Sequence, residues 1–327
     1  MVAKKWMVCV STVVLLFGFG LSAEADSTGS TTLRMVTFVP TKSPTVRSAI
    51  WLSQKVQEGS GGKLKIEIVG GPEALPGDDQ PSAVRSGVFD MILSPPDESL
   101  IPEALSFILS GQTPARERES GFYNLMAEIY RKQNVFYLGR AAVDNEFHIM
   151  LAKKRVAKLE DLAGLKLRAS ATTLPLIKAL GAAPVSIPLP DVFTAMERGV
   201  VDGTIGVKTG LKTWGLAPVV KYMVNVPLYG QNLVILVNLD SWNKLPGEYQ
   251  QMMQDIMAGI ESNELTALYE QRSRGALELA ADKGMQIIEL PAADARRLAD
   301  LALEVIWKEV IKKSPGNGPK LRELLAK

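Results

Sequence analysis

Short aliphatic runs recur along this chain with helical patterns between them, and that alternation restricts it to α/β architecture. The runs lie at 33–38, 64–69, 90–93, 136–140, 147–152, 166–168, 183–187, 200–205, 221–226, 233–237 and 285–290. Residues 44–58 carry Val46, Ala49, Ile50 and Val56 at helical spacing and stop at Gly59-Ser60-Gly61-Gly62. Segments 79–86 and 191–198 read as short helices, and Pro175 and Gly181 punctuate another. Residues 115–133 form a mostly polar amphipathic pattern. Helical patterns also cover 246–283, with Gly259 and Gly275 inside it, and 293–312. A chain of 327 residues that is 46% hydrophobic exceeds one small core, so two domains are expected, with a change of character near Glu146.

The first residues constrain location. Lys4 and Lys5 precede an uncharged apolar run, Trp6–Leu21, and Ala23-Glu24-Ala25 matches a small-residue cleavage site. Residues 1–25 are therefore expected to be a secretory signal directing a soluble product to the periplasm. The single cysteine, Cys9, lies inside that signal, which removes disulfides, thiolate catalysis and cysteine-type zinc sites from the mature chain. Without Lys4, Lys5 and Glu24, the 37 basic and 35 acidic residues become 35 and 34, a formal charge of +1. That balance leaves no footprint for nucleic acid or an anionic membrane.

Catalytic signatures are missing. His148 is the only histidine, and no nucleophile elbow accompanies it. No metal-ligand spacing and no phosphate-binding loop can be assembled, so no metal, cofactor or enzymatic role is expected. An exported two-domain α/β chain without such groups fits a ligand carrier whose lobes close over a solute.

Five stretches occur in a fixed order: Leu75–Asp90 (LPGDDQPSAVRSGVFD), Leu159–Arg168 (LEDLAGLKLR), Ala179–Pro188 (ALGAAPVSIP), Phe193–Gly203 (FTAMERGVVDG) and Trp242–Pro246 (WNKLP). Together they resemble the substrate-binding proteins of tripartite ATP-independent periplasmic (TRAP) transporters, from about residue 33 to 312. The resemblance implies a two-lobe, type II-like periplasmic binding fold with a long helix crossing both lobes. Residues 33–147 and part of 229–283 would form the first lobe, 148–228 and part of 284–312 the second, and 313–327 a C-terminal tail. It also implies a small organic acid as ligand, transient contact with TRAP membrane subunits, and a monomer or weak dimer. An enzyme acting on a carboxylate, or a ligand-sensing module, could use the same fold.

In that family the arginine of the G-L-K-[IL]-R motif clamps the ligand carboxylate, and here it is Arg168. The chemistry agrees: a guanidinium is a planar fork of donors that stays charged when buried. Read from the chain alone, without the resemblance, Arg168 is a surface or salt-bridging residue. Many relatives carry a second ligand-facing arginine about twenty residues upstream. This chain has His148 there, suited to a hydroxyl or keto oxygen or else purely structural. Where relatives carry a Glu-Asn-Pro segment, this chain has Thr204-Ile205-Gly206-Val207-Lys208. Gly206 would leave space there, and Lys208 is either a second cation or a solvated one. A bulkier or less polar monocarboxylate fits those departures. Strand-end loops add Phe38, Glu73 and Ser94. Trp214 and Tyr229 would wall the pocket or fill core.

Overall fold

The computed structural model describes residues 30–109, 113–142, 146–170, 172–230 and 232–326. The expected signal, residues 1–25, lies outside them. Eleven strands form two sheets: β1 (Thr31–Thr37), β2 (Leu64–Gly70), β3 (Met91–Ser94), β4 (Val135–Arg140), β5 (Phe147–Leu151), β6 (Lys166–Ala169), β7 (Ala183–Ser186), β8 (Gly203–Val207), β9 (Tyr222–Val224), β10 (Val234–Asn238) and β11 (Gln286–Ile288). The first sheet runs in the order β2-β1-β3-β10-β4 and the second β11-β9-β5-β8-β6-β7.

Each sheet contains one strand that opposes its neighbours. β10 is antiparallel to β3 and β4, and β5 is antiparallel to β8 and β9. Both strands begin just after the chain has crossed from the other lobe. The two crossings touch: Glu146 bridges Gly230, the Phe147 amide donates to the Tyr229 carbonyl at 2.9 Å, and the Leu228 amide donates to the Phe147 carbonyl at 3.0 Å. Every residue of β3, β4, β8 and β10 is buried, as strands covered on both faces require, whereas the edge strands β7 and β11 keep exposed positions.

Helices join the lobes a second time. Gly247–Gly259 and Leu265–Asp282 are continuous through a π-helical turn at Ile260–Glu264. The first half packs on helix Arg47–Gly59 and on β4 in the first lobe, and the second half on helix Gly210–Thr213 in the second. That is the long helix expected to cross both lobes. Helix Ala292–Lys313 also bridges, touching the buried 3-10 segment Pro102–Leu109 of the first lobe and helix Leu174–Ala179 of the second. Residues 313–327, expected as a tail, include helix Gly318–Ala326 packed on the first lobe. The polar helix expected over 115–133 is two helices, Pro114–Ser120 and Phe122–Arg131, because Gly121 takes φ +88° and turns the chain between them.

Candidate functional site

Strand register shows which sheet edges face the other lobe. β10 opens at Val234, opposite both Ser94, the last residue of β3, and Arg140, the last of β4. β5 opens at Phe147, opposite Val207, the last residue of β8. Because both strands start where the crossings end, the carboxyl ends of β3, β4 and β8 lie on the edges nearest the partner lobe. Solutes in open α/β sheets bind at such ends.

Arg168 sits one residue from the end of β6, paired with Thr204 of β8 and Val185 of β7. In the same register His148 faces Gly206, two positions nearer the edge, so Arg168, Thr204, Gly206 and His148 share one face of the sheet. The Arg168 Nε donates to the Ile187 carbonyl at 2.8 Å, which fixes the guanidinium plane. Among the described residues no carboxylate pairs with it. Burial alone pulls its pKa below the ordinary arginine value, with no acid side chain drawing it back. A half-buried cation of this kind is incomplete until an anion arrives.

His148 is buried, and its Nδ1 donates to the Val224 carbonyl at 3.0 Å, taking that nitrogen as the protonated one. Its Nε2 has no hydrogen-bond partner and lies 3.6 Å from Glu146 Oε2. The same Glu146 oxygen accepts from Lys208 Nζ at 2.7 Å. The His148 ring, which can donate from Nε2 only when both its nitrogens carry protons, holds the Glu146 carboxyl down to about 2 together with Lys208. Lys208, considered above as a second cation for ligand, is thus already neutralised. Glu146 is the residue that local sequence did not single out. Its role comes from the crossing, which sets it beside β8.

The room left by Gly206 is filled. A Cβ at Gly206 would lie 3.0 Å from Trp214 Cζ3, and one at Gly210 would lie 2.6 Å from Trp214 Cε3. Trp214 therefore lies over two glycines, packed against the buried cluster to which Met150, Leu211 and Met223 belong. Tyr229 is buried at the crossing with its ring 6.2 Å from Phe147, and its hydroxyl finds no partner. Burial raises that hydroxyl's pKa well above the ordinary tyrosine value.

In the first lobe, Phe38 and Ser94 line a cavity of about 410 Å³ together with Asp78 and Asp97. Ser94 is 3% exposed and its Oγ has no partner. Glu73 is exposed and turns back on its own loop, where its Oε1 accepts from the Gly71 amide at 2.8 Å. A larger cavity of about 820 Å³ separates Ser43 and Pro44 of the first lobe from Thr209, Lys212 and Thr213 of the second, with the long helix as its wall. Arg168 lines neither cavity. Among the described residues no cluster of His, Cys, Asp or Glu is gathered to hold a metal, and no helix is long and apolar enough to cross a membrane.

Known proteins share this arrangement. A family model for bacterial extracellular solute-binding proteins, family 7, matches residues 35–314. A solute-binding protein of Albidiferax ferrireducens is 23% identical over 274 residues, covering 80% of each chain. A C4-dicarboxylate-binding periplasmic protein of Rhodobacter capsulatus is 28% identical over 177 residues, 53% of this chain and half the length of that relative. An uncharacterized protein of Haemophilus influenzae is 34% identical over 108 residues, only a third of its length. Among solved structures, a TRAP periplasmic solute-binding protein of Desulfovibrio salexigens with bound orotic acid superposes with TM-score 0.79 at 19% identity, covering 90% of this chain and 97% of that one. A second, from Rhodoferax ferrireducens with bound malonate, gives TM-score 0.76 at 21% identity, covering 90% and 97%. The matched span, with two lobes joined by crossing strands and a long shared helix, makes this chain a member of the bacterial extracellular solute-binding proteins of family 7.

Proposed function

We propose that the protein is exported by its first 25 residues, binds a small organic acid between its lobes, and delivers it to TRAP membrane subunits. Arg168 is the carboxylate clamp. One observation carries this reading: the guanidinium is half-buried, fixed through Nε, desolvated, and without an acid partner among the described residues. Two parallel bonds from it to a carboxylate would restore what burial removes. The names of two relatives support an acid ligand. One, from a Nostoc species, is a monocarboxylate 2-oxoacid-binding periplasmic protein, 26% identical over 244 residues. Another solved structure is a Bordetella pertussis receptor that binds pyroglutamic acid, with TM-score 0.77 at 21% identity.

A thermal-shift screen of residues 26–327 against organic acids, each beside its amide, tests the reading. Ligand at a hundred times its Kd adds about 2.7 kcal/mol of stability. An acid should raise the melting temperature while its amide does nothing. Arg168→Ala should weaken binding of that acid by about thirty-fold or more, the scale of truncating one partner of a buried charge pair. Parent-like affinity in the variant would remove Arg168 from the site.

A further inference from the structure

The cleft has unequal walls. On the second-lobe side, Arg168 has no acid partner among the described residues, whereas Lys208 is bound to Glu146 at 2.7 Å. On the first-lobe side, the 410 Å³ cavity is lined by Asp78 and Asp97 and by no lysine or arginine. Asp97 is fixed in place, accepting from the Ser99 amide at 2.8 Å and the Ser99 hydroxyl at 2.7 Å, and each of its oxygens keeps a further lone pair. Ser94, at the end of β3, is buried on that cavity with its Oγ unpartnered, a cost that a bound polar group would relieve. Phe38 contributes an aromatic ring to the same wall.

We propose that this wall receives an ammonium group on the far end of the acid held by Arg168, so that the solute is a zwitterionic amino acid and not a dicarboxylate. The inference rests on the Arg168 reading. An ammonium has three donors and no acceptor, which suits two carboxylates and one orphaned hydroxyl. It also gains from the face of the Phe38 ring. A second carboxylate placed there would meet two like charges and no counter-ion. The larger cavity is mixed in charge, with Lys212, Arg272 and Arg274 beside Glu270 and Glu278, and so makes no such demand.

Calorimetric titration of the mature protein with three matched series separates amino acid from dicarboxylate. The probes are succinate, glutarate and adipate; γ-aminobutyrate, δ-aminovalerate and ε-aminocaproate; and butyrate, valerate and caproate. At one length the amino acid should bind at least about tenfold tighter than both its dicarboxylate and its plain acid. Asp78→Asn with Asp97→Asn should reduce that amino acid to the affinity of the plain acid, whose own binding stays unchanged. Ser94→Ala should weaken the amino acid alone and so repeats the test without touching the Asp97–Ser99 turn. A dicarboxylate that binds equally or more tightly, or a preference that survives these substitutions, overturns the ammonium site. So does silence from all nine probes on a cooperatively folded protein. If Arg168→Ala abolishes binding while no amino acid preference exists, the clamp stands and the ammonium site falls. If binding survives Arg168→Ala, the clamp itself falls.

Discussion

Single residues in this protein owe their roles to what neighbouring strands place beside them. Glu146 is half-exposed, yet His148 and Lys208 hold its carboxyl down to about 2 against an ordinary 4.5. A depressed carboxyl stabilises the fold above its unfolded pKa, and that stability is lost as pH falls from about 5 toward 2. Solvent screening of so exposed a group keeps the contribution below about 1 kcal/mol. Glu146→Gln should therefore lower the melting temperature slightly at pH 7 and match the parent near pH 2, which flattens the acid limb; an unaltered difference between pH 7 and 2 would show that other carboxyls set it. Gly206 gives a second residue-scale expectation. An alanine there meets the Trp214 ring at 3.0 Å, so the ring must give way. Gly206→Ala should cost about 1–3 kcal/mol in urea unfolding and shift tryptophan emission. A variant matching the parent in both would mean that Trp214 adapts freely.

Elements were largely legible and their junctions were not. The aliphatic runs locate the eleven described strands to within a few residues, and for β3, β4, β8 and β10 burial on both faces leaves continuous apolar stretches. Segment Pro102–Leu109 escaped: PEALSFIL is buried from Glu103 onward, its two polar side chains included, so it has no exposed face to give a period. Helices Gly210–Thr213 and Leu239–Lys244 are too short to show a period. The candidate site divides the same way. The motif singles out Arg168 as a candidate, whereas the pairing of Lys208 with Glu146 depends on a strand crossing that leaves no local trace. The π-helical turn is another such junction. It presents Glu261, 2% exposed, so that Oε1 accepts from the Arg140 amide at 2.6 Å and Oε2 from Arg118 at 2.6 and 3.1 Å. Burial pushes the Glu261 carboxyl upward while Arg118 and the Arg140 amide draw it back. Arg140 also pairs with Glu117 at 3.1 Å, so four charges meet where β4 leaves the first lobe. Glu261→Ala strands Arg118 and the Arg140 amide and should cost about 3–5 kcal/mol. A loss under 1 kcal/mol would show that the cluster relaxes around water.

At the scale of the whole molecule, the two lobes are tied by two crossings and two helices, which permits bending but not separation. Closure is expected to accompany ligand. With Cys9 the only cysteine, a mature chain carrying Val88→Cys in the first lobe and Val200→Cys in the second takes dyes only at those exposed sites, 58% and 50% accessible. Energy transfer between them should rise with a saturating acid and stay constant in Arg168→Ala. Equal transfer with and without acid in the parent would mean binding without closure.

The position of β10 also governs when the molecule can first become a folded object. It lies between β3 and β4, so nothing joins β4 to the rest of the first sheet until residue 238 has been made, long after residues 31–140. Until then the growing chain holds an earliest third whose open strand edges wait on a strand from the last third. Residues 31–140 alone should remain largely unprotected in hydrogen exchange, and the sheet should gain protection only in chains that extend past β10.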